Sequence, residues 1–166
     1  MHAYSPSDLL KCYRGDVDLS FFVNVPQEEA YRSTADYFKG RGLKIVASKS
    51  PSYVKADFGS WTSISLDNAK GEVKVDLTKA NRGSYANLHF SFSSEYLMGF
   101  AVTLFFAAAT YIIYAIIEIP IGFALIVMST EVIFVIGIIG FSVSLTRKKF
   151  IEEFNMFLQS LAPKRE

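Results

Sequence analysis

The sequence predicts an α+β domain, followed by a two-helix transmembrane hairpin and a C-terminal amphipathic helix. Three patterns predict it. Apolar residues alternate through residues 17–92, two long runs without a basic residue fill 96–146, and an apolar stripe at helical spacing marks 150–161. Overall composition hides this division. Residues 1–96 carry 12 Lys+Arg and 11 Asp+Glu, residues 97–146 carry only Glu118 and Glu131, and residues 147–166 carry 5 basic and 3 acidic residues. Such a distribution excludes a fully soluble globule. The single cysteine, Cys12, excludes a disulfide framework, and a net charge of +1 excludes nucleic-acid binding driven by charge alone.

Residues 1–16 read as a polar lead. The soluble α+β domain, 17–95, opens on VDLSFFVNV, whose Val17, Leu19, Phe21, Val23 and Val25 share one face of a half-buried strand. Pro26 suits the first turn of a helix, and Gln27, Glu28 and Glu29 follow at its positive end. Ala30, Tyr31, Thr34, Tyr37 and Phe38 recur at helical spacing, with Gly40 as a stop and Gly42 in the turn beyond. Strands are expected at 43–49 and 52–58 around Ser50-Pro51, at 72–78 and at 84–92, with a further short one at 62–66. Residues 68–71 and 81–83 read as hairpin turns. The sum is a strand, a helix and four or five antiparallel strands.

Residues 96–118 are expected to form the first transmembrane helix and 119–146 the second. Roughly 20 residues at 1.5 Å rise cross a hydrocarbon core, and both runs exceed that. Glu118-Ile119-Pro120 is the break between them, so the tip is tight and both flanks lie on one side. Arg147, Lys148 and Lys149 follow the second helix, and the tip has no basic residue, which places both termini in the cytoplasm and the protein in the cell membrane.

The tail, 147–166, has a basic flank followed by Phe150, Ile151, Phe154, Phe157, Leu158 and Leu161 on one helical face. Its polar face bears Glu152, Glu153, Asn155 and Gln159 rather than the lysines of a lipid-surface helix. Phe154, Phe157 and Leu161 are therefore expected to bury against the sheet or an adjoining subunit. Trp61, Tyr53, Phe22 and Tyr85 form an aromatic surface if they fall on the outward face of the sheet; packing under this helix is the expectation, and the alternatives are binding of a partner or contact with the lipid interface. The order strand, helix, four strands, helix is similar to the half-repeat of TATA-binding-like folds. That likeness is one of element order, covers no motif and implies no function.

Glu131 is the most informative single residue. A carboxylate inside a membrane is costly, so it is neutral, paired or turned to a protein interior. Counting from a tip near residue 119 places it level with Ala107, within a turn of Thr103 and Thr110, whose hydroxyls are candidate partners. Such a carboxylate on the second of two helices resembles the proteolipid ring subunit of rotary ATPases. The likeness stops there, because those subunits lack a large preceding soluble domain and have a polar connecting loop. Gly99, Thr103 and Ala107 on the first helix, and Gly137, Gly140 and Ser144 on the second, give small faces for close helix packing.

Catalytic signals are missing. His89 is expected on an outward strand position, Cys12 has no nearby histidine, and Gly59-Ser60-Trp61 lacks the flanking glycine of a nucleophile elbow. No metal-ligand spacing, phosphate loop or dinucleotide fingerprint is present, so no metal, cofactor or nucleic-acid partner is expected. The expected function is that of a non-catalytic accessory, assembly or scaffolding subunit, whose partners are the lipid bilayer and other membrane subunits or copies of itself. The alternatives are an ion- or proton-conducting homo-oligomer that uses Glu131, and a membrane-tethered module that binds a lipid or small molecule.

Overall fold

The computed structural model describes residues 18–60, 65–118 and 120–161. It is an α+β fold with one five-stranded antiparallel sheet and two long apolar helices. In chain order the elements are β1 (Asp18–Val23), α1 (Gln27–Gly40), β2 (Lys44–Lys49), β3 (Tyr53–Phe58), β4 (Gly71–Ala80), β5 (Gly83–Ser91), α2 (Ser93–Ile116) and α3 (Ile121–Ser160). The sheet order is β1-β5-β4-β3-β2. Short turns join β2 to β3 and β4 to β5, a longer connection joins β3 to β4, and β1 pairs with β5 across the longest sequence separation, Leu19 opposite Leu88 and Phe21 opposite Ala86.

Strand alternation sorts the side chains. Val54, Ala56 and Phe58 of β3, Val73, Val75 and Leu77 of β4, and Ala86, Leu88 and Phe90 of β5 are buried on one face. Helix α1 lies on that face through Ala30, Thr34 and Phe38. Pro26 is its N-cap rather than its first helical residue. Gly40 is the last helical residue, and the left-handed turn falls on Gly42 (φ 70°), because glycine tolerates that conformation and Arg41 stays in the ordinary region. The two-residue turn Asn81-Arg82 closes the β4–β5 hairpin. The β3–β4 connection is longer than a hairpin turn, and the strand expected at 62–66 falls largely outside the described residues.

Both apolar helices differ from the expected bounds. Helix α2 starts at Ser93 and ends at Ile116, and α3 runs unbroken for 40 residues through the expected boundary at 146. The change at Arg147 is one of polarity, and nothing in Leu145-Thr146-Arg147-Lys148 disfavours helix. Around residues 97–141 the large apolar side chains point outward on most sides, Leu97 and Phe105 both being 71% exposed. Past Thr146 the same helix turns Phe150, Phe154 and Leu158 into the sheet core.

That core is aromatic. Phe150 packs edge-on to Phe90 at 5.3 Å between centroids and sits 5.4 Å from Phe58. Phe154 is fully buried, 5.7 Å from Tyr37 and 6.4 Å from Phe21, and Phe157 stacks on Tyr37 at 4.4 Å. Leu161 and Ile151 pack at its margin. Phe22 and Tyr85, expected under the tail, lie on the opposite face, 54% and 45% exposed and edge-to-face at 5.5 Å. Phe21 and Val23 point inward, so the pleat sends Phe22 out. Tyr53 also faces outward, beneath the Lys74 ammonium. Trp61 lies outside the described residues.

Candidate functional site

Two places combine polar groups with the apolar helices: the junction of the sheet domain with the hairpin, and Glu131 within the hairpin.

The junction is built by the connection between β3 and β4. Gly59 takes φ 71°, and a Cβ there would sit 2.1 Å from the Ala69 carbonyl oxygen, so the chain can fold back on itself only with glycine at this point. The Ser60 amide donates to the Asn68 carbonyl at 3.3 Å. Folded this way, residues 67–70 reach both helices. The Ala69 amide donates to Thr146 Oγ1 at 2.9 Å, and that hydroxyl donates onward to the Ser142 carbonyl at 2.9 Å. The Lys149 ammonium donates to Asp67 Oδ2 at 2.6 Å. The Lys70 amide donates to Glu95 Oε2 at 3.0 Å, in the first turn of α2, where the helix dipole favours a carboxylate. On the far side, Arg41 beyond the end of α1 pairs with Glu153 of α3. These contacts fix the hairpin base to the sheet at four points.

Asp67 carries the electrostatic signature of this clasp. Its carboxyl is lowered to about 2, first by the hydrogen bond from Lys149, then by that from the Ser65 hydroxyl, then by the Lys149 charge. Beside the clasp lies a polar cleft of about 500 Å³, between the end of α1, the ends of β2 and β3 and the Thr146–Glu153 stretch of α3. A second cleft of about 290 Å³ shares Ser60 and Asn68 with it and opens between the loop and both apolar helices.

Within the hairpin, Thr110 donates its hydroxyl to Glu131, 2.9 Å from Oε1 and 3.1 Å from Oε2. Thr103, the other candidate partner, instead donates to the Gly99 carbonyl four residues back, at 2.8 Å. Helix pairing therefore brings residue 131 to the level of 110, one turn nearer the tip than Ala107. The tip itself turns through Glu118 at φ 58°. Glu131 is half-buried and borders an open groove with Phe123, Ile126, Val127, Thr130 and Phe134.

The small residues divide between inside and outside. Gly99 is buried against Ile139, whose Cδ1 would lie 1.9 Å from a Cβ at that position. Ala107 and Gly140 are half-buried, and Gly137 is exposed with nothing within 4 Å of an added Cβ. Sequence reasoning had no means of finding the clasp, because two of its contacts depend on where backbone amides fall and the other two, Lys149 with Asp67 and Arg41 with Glu153, join residues 82 and 112 positions apart; the sole signal was the glycine at 59.

On the outer sheet face, His89 lies between two carboxylates, Nδ1 2.6 Å from Asp18 and Nε2 3.2 Å from Asp76, and Asp76 also pairs with Lys74. Among the described residues no three His, Cys, Asp or Glu side chains are grouped as a metal ion would need.

No protein-family model matches the chain, and no curated protein sequence matches it. Among solved structures, protein MLL2253 from Mesorhizobium loti is 10% identical with a TM-score of 0.39, over 46% of this chain and 76% of that one. CalU16 from Micromonospora echinospora is 12% identical with a TM-score of 0.38, over 80% of this chain and 88% of that one. Likenesses so distant say nothing about function.

Proposed function

We propose that this protein is a non-catalytic membrane subunit with an accessory, assembly or scaffolding role. In this reading α2 and α3 span the membrane as a hairpin, both chain ends lie in the cytoplasm, and the α+β domain is held in a set orientation against the cytoplasmic surface. One observation carries it. Helix α3 passes without a break from a segment with outward-facing apolar side chains into the aromatic core of the sheet domain. Burial in lipid removes the cost of exposing those side chains to water, about 25 cal/mol per Å². A rigid connection of that kind suits a part that presents a binding surface at a fixed height and angle.

Helix α3 also supports a partner within the bilayer. Thr130, Gly137 and Ser144 repeat every seven residues on its exposed side, with Phe134 and Phe141 alongside, which is how a second helix seam is spaced. Blue-native electrophoresis after mild detergent extraction tests the proposal. Migration as a complex with a co-purifying chain is expected; a stable monomer with no companion would count against it.

A second reading is favoured by Glu131, whose carboxylate takes the Thr110 hydroxyl and borders an open groove. In that reading copies of the chain assemble around Glu131 and conduct ions or protons. Proton flux in reconstituted vesicles that disappears in Glu131→Gln would support it, and absence of flux in the wild type would remove it.

A further inference from the structure

The smaller cleft at the junction, about 290 Å³, has a layered lining. Gly99 meets Ile139 across the hairpin, so Glu95 and Ser142, one turn nearer the sheet on each helix, stand at one level. Asn68 of the folded-back connection joins them, and the aliphatic Met98, Ile139 and Val102 follow toward the tip. The polar layer is under-used. Ser142 is 7% exposed, yet its hydroxyl makes no hydrogen bond among the described residues, although Ser129, Thr130 and Thr146 on the same helix each bond the carbonyl four residues back. That oxygen is not sealed off by its neighbours, so it is reached from the cleft that Ser142 lines. Asn68 engages its backbone with Ser60 and Ser65 and leaves its side-chain amide without a partner among the described residues. Glu95 takes the Lys70 amide on Oε2 alone, and it is the one charged side chain among the described residues of this lining. Buried polar groups in this state call for a partner that the described chain does not supply.

We propose that this cleft binds one phosphatidylethanolamine molecule, with its ammonium on Glu95, its phosphodiester on Ser142 and Asn68, and its acyl chains leaving past Met98 and Val102. A primary ammonium gives a carboxylate a charge-assisted hydrogen bond, and the Ser142 hydroxyl and the Asn68 amide are uncharged donors for the phosphodiester. A headgroup with net negative charge would meet Glu95 with no cation in the described lining to offset it, and a quaternary ammonium has no N–H to donate. The aliphatic layer gains by covering the first methylenes of the chains, which a soluble amine would leave bare. The site rests on the reading that the hairpin spans the membrane.

The test uses the full chain purified in neutral detergent. Native mass spectrometry counts lipid retained after incubation with phosphatidylethanolamine, with its N-trimethylated counterpart phosphatidylcholine, or with phosphatidylethanolamine plus excess glycerophosphoethanolamine. One phosphatidylethanolamine per chain is expected, preferred over phosphatidylcholine by about tenfold, the scale of a charge-assisted hydrogen bond. The soluble headgroup should not displace it. Glu95→Gln keeps a carbonyl for the Lys70 amide and should bring the two lipids to equal retention. Independently, Met98→Trp should lower retention by filling the aliphatic layer while leaving Glu95 in place. Equal retention of both lipids by the wild type, no retained lipid, full displacement by glycerophosphoethanolamine, or an undiminished preference in Glu95→Gln would each overturn the proposal. Release of the wild-type chain from membranes by alkaline carbonate is a separate result, and would overturn the spanning reading instead.

Discussion

Phe154 is where the long apolar helix α3 and the sheet domain become one structure, so its truncation is the most informative perturbation of the fold. The ring is 0% exposed and meets Phe21, Tyr37, Phe38, Phe150 and Phe157 at centroid distances between 5.6 and 6.4 Å. Phe154→Ala leaves a cavity among groups that cannot all collapse into it, a change that costs about 3–5 kcal/mol. Against a total of about 5–15 kcal/mol for a domain, that is a large share. For a domain near this size, each kcal/mol moves the midpoint by about 4–8 °C, so a fall of at least about 12 °C is expected. Met156→Ala is the control, because Met156 lies two residues away on the same helix and is 62% exposed. Thermal unfolding of the full chain in detergent, followed by limited proteolysis of the sheet domain, reads both. Equal midpoints for the two variants would refute the packing argument and return the tail to a membrane-surface role.

Three further outcomes follow from the clasp and the hairpin. The Asp67 carboxyl is lowered to about 2 by Lys149 and Ser65, so its contribution to stability is complete above the ordinary carboxylate range and is lost as pH falls through about 2. A carbon-13 titration should show that low midpoint, and Lys149→Met should move it upward; an unmoved midpoint would refute the assigned cause. Gly59→Ala forces a side chain into a left-handed backbone that costs about 1–2 kcal/mol, before its clash with the Ala69 carbonyl. Faster hydrogen exchange at the Ala69 and Lys70 amides is expected, and native rates would contradict it. Thr110→Val removes the hydroxyl that serves Glu131, at about 0.6–2 kcal/mol in an apolar setting. Its thermal midpoint in detergent should fall, whereas Thr103→Val, which loses only a bond within its own helix, should change less.

Much of the sheet was legible because its chemistry is local. Val73, Val75 and Leu77 alternate with charged and polar neighbours, and one face of β4 follows directly. The pairing of β1 with β5 was not legible, since nothing in residues 18–23 names a partner more than sixty residues away. Phe22 illustrates a different limit: its ring favours burial, yet the pleat set by Phe21 and Val23 turns it outward. In the hairpin, counting from the tip placed Glu131 one turn from its hydrogen-bond partner, because the geometry of the turn through Glu118 sets the pairing of the two helices. Helix α3 crosses residue 146 without interruption because polarity and helix propensity are independent properties. The clasp depends on two backbone amides, which a sequence does not distinguish, and on two ion pairs between residues far apart in the chain.

Substituted-cysteine labelling tests the central claim, that the hairpin crosses the membrane with both flanks on the cytoplasmic face. In a Cys12→Ser background, Glu118→Cys reports the exposed tip and Met156→Cys the exposed side of the tail helix. A membrane-impermeant maleimide applied to intact cells is expected to label Glu118→Cys at once and Met156→Cys only after permeabilisation. Labelling of Met156→Cys in intact cells would invert the topology, and labelling of both positions only after permeabilisation would mean that the hairpin does not cross.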